Sequence, residues 1–504
     1  MGALQYFCKM FIRKKKNSTG SISVQIVNKI GRKNKVLKTI GCSSVPEEIE
    51  KFQKQAEYDI HRLFGPTLFD SPLIPAITEL SNDDIRIIGP ELIFGSIYNK
   101  IGFSIIKEPL LKELAISRIT HPGSKLRLSE YLRDNGKRDL SVYSIYRFLD
   151  KINKKYKSEI EEISFKHTQR TLNNNIGVVF YDMTTIYFES SQPDELRMPG
   201  FSKDGKHQNP QIFLGLLVGS NGYPIGYEIF EGKTFEGHTL IPILKQFEHR
   251  FSLQKPIVVA DSGLLSKDNI IDLKQKGYKF IIGARIKNES KSIINKINEY
   301  DWKNGMSVEI IKPDGNRLIV NYSDGRAKSD LFNRERGLKR LEKSINSGKL
   351  TKENINNKGY NKYLQLEGEI KISIDYKKFN ADSKWDGLKG YITNTELKCV
   401  EVIDTYRNLW NIEKAFRISK TDLQIRPVYH RLRDRIEAHI CISFIAYLLY
   451  KELERVLKNN EISINKAIEQ INKMQEIVSS QNIIIRLKNN QTQQKILDII
   501  TKEF

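Results

Sequence analysis

From residue 176 onward the apolar residues fall into short runs of strand length, not into a helical repeat. Residues 177–182, 213–218 and 224–230 are consecutive apolar runs, the last two joined by the turn Gly219-Ser-Asn-Gly222. A helical pattern follows at 237–250, then a strand at 257–261, a helix at 267–276 and a strand at 278–283. The predicted order is three strands, helix, strand, helix, strand, which places this region in the α/β class. Earlier in the chain, runs at 6–13, 21–28 and 35–40 are separated by Asn17-Ser-Thr-Gly20 and Gly31-Arg-Lys-Asn34. They predict a small antiparallel sheet, followed by a helix that begins at Pro46. Residues 83–165 carry a helical period. Within them, 141–149, after the turn at Asp134-Asn-Gly136, has the pattern of the second helix of a helix-turn-helix pair. The most apolar stretch, 440–450, is far shorter than the roughly 20 residues that span a bilayer, so it predicts a buried core helix. The segment from 459 on is polar and helical in pattern.

Three acids stand out against this frame. Asp182 closes the run 177–181 and Asp261 closes 256–260, so each is expected at a strand end. Glu413 lies on a helical segment at 400–420, where Tyr406, Glu413 and Lys420 recur every seven residues and so share one helix face. Singly, each acid reads as a cap, a turn residue or half of an exposed ion pair, Arg417 being four residues beyond Glu413. Together, and in fold order, three converging carboxylates can hold two divalent ions for phosphodiester chemistry. The stretch between Asp261 and Glu413 is much longer than one helix and one strand require. Residues 290–395 therefore form an inserted module with strands at 307–312, 317–322, 367–376 and 387–393 and a basic helix at 333–347.

The charge balance narrows the partners. The 504 residues hold 82 Lys and Arg against 60 Asp and Glu, a net charge of +22, and such a field attracts polyanions. The expected partner is DNA rather than a membrane. Arg13, Lys14, Lys15, Lys16, Arg32 and Lys33 on the first sheet form a candidate backbone clamp, with a solvated basic loop as the alternative. Arg431, Arg433 and Arg435 are further backbone contacts or surface charges. Cys8, Cys42, Cys399 and Cys441 have neither disulfide nor zinc spacing, and the N-terminus lacks a signal-peptide pattern, so a cytoplasmic, nucleoid-associated protein is expected. His207, His238, His430 and His439 lack the spacing of a helical zinc pair, and His439 is expected in the core.

The segment Asp404-Thr-Tyr-Arg-Asn-Leu-Trp-Asn-Ile-Glu-Lys-Ala-Phe-Arg-Ile-Ser-Lys420 resembles the Tyr-Arg-Glu-Lys signature of bacterial insertion-sequence transposases of the insertion-sequence-four type, which carry a DDE triad. Asp182 in Tyr-Asp-Met-Thr-Thr185 and Asp261 in Val-Ala-Asp-Ser-Gly263 look like the first two acids. The likeness covers about 176–450. It implies a ribonuclease-H-like catalytic core split by a β-rich insertion, with an N-terminal β-hairpin and helical DNA-binding region and C-terminal helices. The implied division is 1–75 and 76–170 for DNA binding, 171–289 and 396–455 for the core, 290–395 for the insertion and 456–504 for a helical tail. It further implies cut-and-paste transposition through hairpin ends, two Mg2+ per site with Mn2+ substituting, terminal inverted repeats and target DNA as partners, and a homodimer on paired ends. Asp182, Asp261 and Glu413 would be catalytic and metal-holding, and Tyr406 and Lys420 would contact the element end. The family's Arg position is Leu409 here, so Arg407 or Arg417 would supply that cation. Trp385 would stack a flipped base, with a packed core Trp as the alternative. A structure-specific nuclease on the same core and an inactive DNA-binding relic are the other functions compatible with these residues.

Overall fold

Alternation of side chains every second residue explains most of what the computed structural model builds. It describes residues 10–30, 33–64, 81–136, 139–189, 192–200, 208–234, 239–251, 255–263, 266–356, 359–367, 371–478 and 484–504. The chain divides into two units, 1–86 with 475–488, and 87–474 with 489–504.

In the first unit, β1 (Met10–Lys16), β2 (Ile22–Ile30) and β3 (Lys33–Ser43) form the expected antiparallel sheet, in the order β1-β2-β3. Helix α1 (Pro46–Phe64) begins at the expected proline. Val24 and Ile26 alternate onto one face of β2 and bury against Ile49 and Ala56 of α1. Lys14, Lys15 and Lys16 are exposed, whereas Arg13 donates to the Gln25 side chain at 2.8 Å. Arg32 lies outside the described residues, as do His207 and His238 of the second unit. A second small sheet joins β4 (Ile85–Ile87) to a hairpin of β15 (Gln475–Val478) and β16 (Ile484–Arg486). The expected all-helical tail is thus interrupted by two strands. Their partner, β4, is almost 400 residues away, so no local periodicity announces them.

In the second unit one mixed sheet of eight strands dominates, in the order β10-β11-β14-β9-β8-β5-β6-β7. Its centre follows the predicted succession: β5 (Val178–Tyr187), β6 (Gln211–Val218), β7 (Pro224–Glu231), then helix, β8 (Ile257–Ala260), helix, β9 (Phe280–Ala284). Strands β5, β6 and β7 are antiparallel, and β5, β8 and β9 run parallel. β6 is buried along its whole length, which suits its unbroken apolar sequence. The inserted segment does not form a sheet of its own. Its strands β10 (Ser307–Ile311), β11 (Arg317–Tyr322) and β14 (Leu388–Thr393) extend the central sheet antiparallel beyond β9. Only β12 (Leu364–Glu367) and β13 (Lys371–Ile374) pair apart from it, in a small cluster with Leu341 and Phe379.

Each sheet face has its own core. Val179, Tyr181 and Met183 point into a core with Leu240, Leu244 and Phe247, while Phe180 and Ile186 point to the opposite one. That second core is larger and centres on a helix at Arg433–Leu457, the buried helix expected from the apolar run at 440–450. Each Leu, Ile or Phe so buried contributes about 1.5–3 kcal/mol, so this helix anchors the unit.

Candidate active site

The pleat puts a row of residues across four neighbouring strands on the face of the larger core. In the parallel pair β5–β8, Tyr181 stands beside Ala260, so Asp182 and Asp261 are the next residues side by side. Their Cα atoms are therefore roughly 5 Å apart. In the same register Ala260 stands beside Ile282, and Gly283 beside Tyr391. The row thus reads Asp182, Asp261, Gly283, Tyr391. Asp261 follows the end of β8 as expected. Asp182 does not end its strand, because Met183–Tyr187 continue to pair with β6. The acid is held within the strand by its pairing with Leu216 of β6, one residue past the last pair with β8.

Above this row lies the segment with the third acid. It is not the single helix expected at 400–420. One helix spans Cys399–Arg407 and a second spans Trp410–Thr421. The cause is local. The Asn408 side chain donates to the Asp404 carbonyl at 3.2 Å, and the Asn411 side chain donates to the Asn408 carbonyl at 3.0 Å. Backbone bonds across the break shorten to the i→i+3 type, with Asn408 and Leu409 donating to Thr405 and Tyr406. The break starts a new helix whose first turn contains Glu413, where the helix dipole favours a carboxylate. It also ends the simple heptad face. Tyr406 is buried, Glu413 is exposed and Lys420 is half-buried.

Tyr406 turns inward. Its hydroxyl donates to Asp261 Oδ1 at 3.3 Å, and its ring meets Tyr391 edge-on at 4.9 Å. Burial, then the nearby charges of Asp261 and Glu413, hold its phenol well above the usual range, so it stays a donor. Gly283 makes this possible, since a Cβ there would lie 2.6 Å from the Tyr406 hydroxyl. Asp182 accepts from the Met183 amide and Asp261 from the Ser262 amide, both at 2.7 Å.

Cations edge the acids. Lys389, on β14, lies 4.5 Å from the Tyr406 ring centroid. Burial and Arg326 lower its pKa, while Asp261 and Glu413 raise it. Arg407 also acts on Lys389, though it is exposed and paired with Asp404 at 2.9 Å. Sequence reasoning missed Lys389 and Arg326. Both lie in the inserted segment, and only the extension of the sheet brings them to the acids. Arg417 is exposed and acts on Asp422 and Tyr450 instead. Leu409 is buried in the larger core at the helix break. Trp385 is 8% exposed among Leu388 and Ile392, so as placed it offers no open ring face to a base. Arg433 pairs with Glu437 at 2.9 Å and Arg435 with Asp150 at 2.7 Å. His439 is buried, with Nε2 2.9 Å from the Ile425 carbonyl, as expected of a core histidine.

The donor set of three carboxylates suits a hard divalent cation. Among the described residues no three such side chains are drawn around one point.

A family model described as "Transposase DDE domain" matches residues 174–449, more than half of the chain. Over 228 residues the chain is 28% identical to the transposase for insertion sequence element IS231E of Bacillus thuringiensis subsp. finitimus, a match covering 43% of this chain and 46% of the relative. The chain therefore spans about half the length of the curated relative it matches. Among solved structures, the piggyBac transposase synaptic complex with hairpin DNA aligns over 85% of this chain and 83% of that one, at 9% identity and a TM-score of 0.37. The Mos1 transposase paired-end complex aligns over 34% and 56%, at 12% identity and a TM-score of 0.16.

Proposed function

Since the chain belongs to the DDE-domain transposases, of the insertion-sequence-four type its signature segment resembles, we propose that it cuts an insertion sequence out of DNA and joins it to a new site. The observation that carries this is the placement of Asp182 and Asp261 side by side on parallel strands, with Glu413 in the first turn of a helix above them. The strand order β7-β6-β5-β8-β9 supports reading the core as ribonuclease-H-like, with 290–395 inserted before the third acid.

DDE transposases use divalent metal ions, and the all-carboxylate donor set fits two magnesium ions, manganese substituting. Asp182, Asp261 and Glu413 would hold them. When bound, such ions activate the attacking oxygen and stabilise the leaving one. The protein's own groups do the rest. Tyr406 fixes the orientation of Asp261 by donating to it, and stays protonated while doing so. Lys389, Arg326 and Arg407 offset the phosphate charge of DNA brought to the acids. Lys420, two turns beyond Glu413, grips the element end, and Arg407 is better placed than Arg417 to replace the cation missing at Leu409. The remaining assignments are the basic first sheet and the helices up to about 170 as DNA-binding regions, and a dimer that pairs two ends. Cleavage through hairpin ends completes this reading.

The test is cleavage of labelled linear DNA carrying the element's end, with magnesium, by wild type and Asp182→Ala. Nicking at the repeat boundary followed by joining to a second DNA, both lost in the variant, is the expected result. Cleavage without joining would make the protein a nuclease. Binding without cleavage by wild type would overturn the enzyme reading.

A further inference from the structure

A second concentration of like charge lies away from the acids and is buried. A cavity of about 320 Å³ is lined by Arg118, Ser124, Lys125, Arg426, His430 and His439, among others. Arg118 is 4% exposed and Lys125 5%. Cations this deeply buried are normally paired, because desolvation of an unpaired charge costs several kcal/mol. These are not paired with acids. Among the described residues the Arg118 Nε has no hydrogen-bond partner, and its other nitrogens reach only the Gln424 carbonyl and His439 Nδ1, each at 3.4 Å. Among the described residues no hydrogen bond or ion pair reaches the Lys125 ammonium. Burial, then the like charge of Arg118, holds its pKa well below the ordinary lysine value. Asp150, the acid that acts on His430, is already held by Arg435 through bonds of 2.7 and 2.8 Å.

The backbone adds to this field. A 12-residue helix, Lys125–Gly136, begins at the cavity, and the Ser124 hydroxyl accepts from the Arg127 amide at 3.2 Å as its cap. The first amides of that helix have no acceptor within it, and its dipole is positive at this end. Two buried unpaired cations, a capping hydroxyl and a helix N-terminus converging on one cavity form a receptor for a tetrahedral anion.

We propose that this cavity is a phosphate-binding site and that the group it takes is a backbone phosphate of bound DNA. Assigning the phosphate to DNA rests on the proposed function, whereas the site itself does not. The cavity lies at the far end of β5, where Phe188 bridges to Val428. Six residues of strand separate Phe188 from Asp182, roughly 20 Å at about 3.3 Å per residue. At 3.4 Å per base pair that is about six base pairs along one duplex, so a DNA held at the acids would reach the cavity. Its role would be to fix the register of the duplex without reading bases.

The experiment compares the full chain with Lys125→Met and Ser124→Ala, using inorganic phosphate and a labelled duplex as separate probes. Saturable phosphate should raise the melting temperature of wild type by several degrees, and neither variant should respond as strongly. Lys125→Met should also lower duplex affinity about tenfold and reduce the salt slope by roughly 0.9. A lost phosphate response with unchanged duplex affinity would keep the site but overturn DNA as its source, pointing to free phosphate. No phosphate response in wild type, or an undiminished one in both variants, would overturn the site itself. Ser124→Ala keeps the test decisive if Lys125→Met does not fold. Failure of wild type to bind any duplex would count against the proposed function, and the phosphate arm would still judge the cavity.

Discussion

The acid row and the cation cavity lie on the same unit and pose the same electrostatic problem with opposite answers. Asp182, Asp261 and Glu413 carry like charge where solvent reaches them, Asp261 and Glu413 being exposed and Asp182 half-buried, so water screens them. Arg118 and Lys125 carry like charge on buried side chains, where little water screens them and the cost of desolvation is borne by the fold. The first arrangement is cheap to keep without a ligand. The second is expensive, and that expense is what a bound anion would relieve. Exposure, more than charge count, separates a site that waits for its ligand at little cost from one that is destabilised until the ligand arrives.

This contrast can be broken at several points. The largest effect is expected at the acids. Asp182→Asn, Asp261→Asn or Glu413→Gln should each reduce DNA end cleavage by roughly 10³-fold or more, with melting temperature unchanged or slightly raised because a repelling charge is gone. A melting temperature that collapses instead would mean the acids are structural. Next is the close approach of Gly283 to Tyr406. Gly283→Ala should cost about 1–3 kcal/mol in denaturant unfolding, since its Cβ would sit 2.6 Å from the hydroxyl. Combining it with Tyr406→Phe should recover part of that loss, and strict additivity would show that the two side chains do not meet.

At the cavity the sign reverses. Lys125→Met should make the phosphate-free protein more stable by about 1–3 kcal/mol, because an unpaired buried charge is replaced by an apolar chain of similar length. Loss of stability there would mean that the ammonium has a partner in solution. The smallest effect concerns pH. Burial, then Lys125, Arg118 and Arg435, push His430 down to about 3 from its ordinary 6.5. Between those values the unfolded chain binds a proton that the folded chain does not, so stability falls as pH drops from 6.5 toward 3. His430→Asn should flatten that part of the stability curve, measured by denaturant melts at each pH.

Much of the catalytic frame was readable in the chain because it is local. Runs such as 224–230 and 257–261 are continuous apolar strands, and their bounds shift by only a residue or two in the structure. The break at Asn408 was not readable. Asparagine side chains compete with the backbone only when geometry lets them, and the heptad of Tyr406, Glu413 and Lys420 continues straight through the break. Lys389 and Arg326 were missed for a different reason. Both belong to the inserted segment, and its strands gain meaning only by pairing onto β9.

The sequence by itself determined the α/β succession, the two Asp on or at the end of apolar strands, the helical segment that carries Glu413 and the basic field that calls for a polyanion. These follow from periodicity and composition, which act over a few residues or over the whole chain. Only the tertiary structure decided that Tyr406 turns inward to Asp261 over Gly283, that the insertion lengthens the main sheet and that Arg118, Lys125, Arg426 and His430 share one cavity. In the cavity, Arg118 and Lys125 come from a segment about 300 positions away from Arg426 and His430. Burial and pairing between such distant segments are set by how whole faces pack, and no local pattern encodes that.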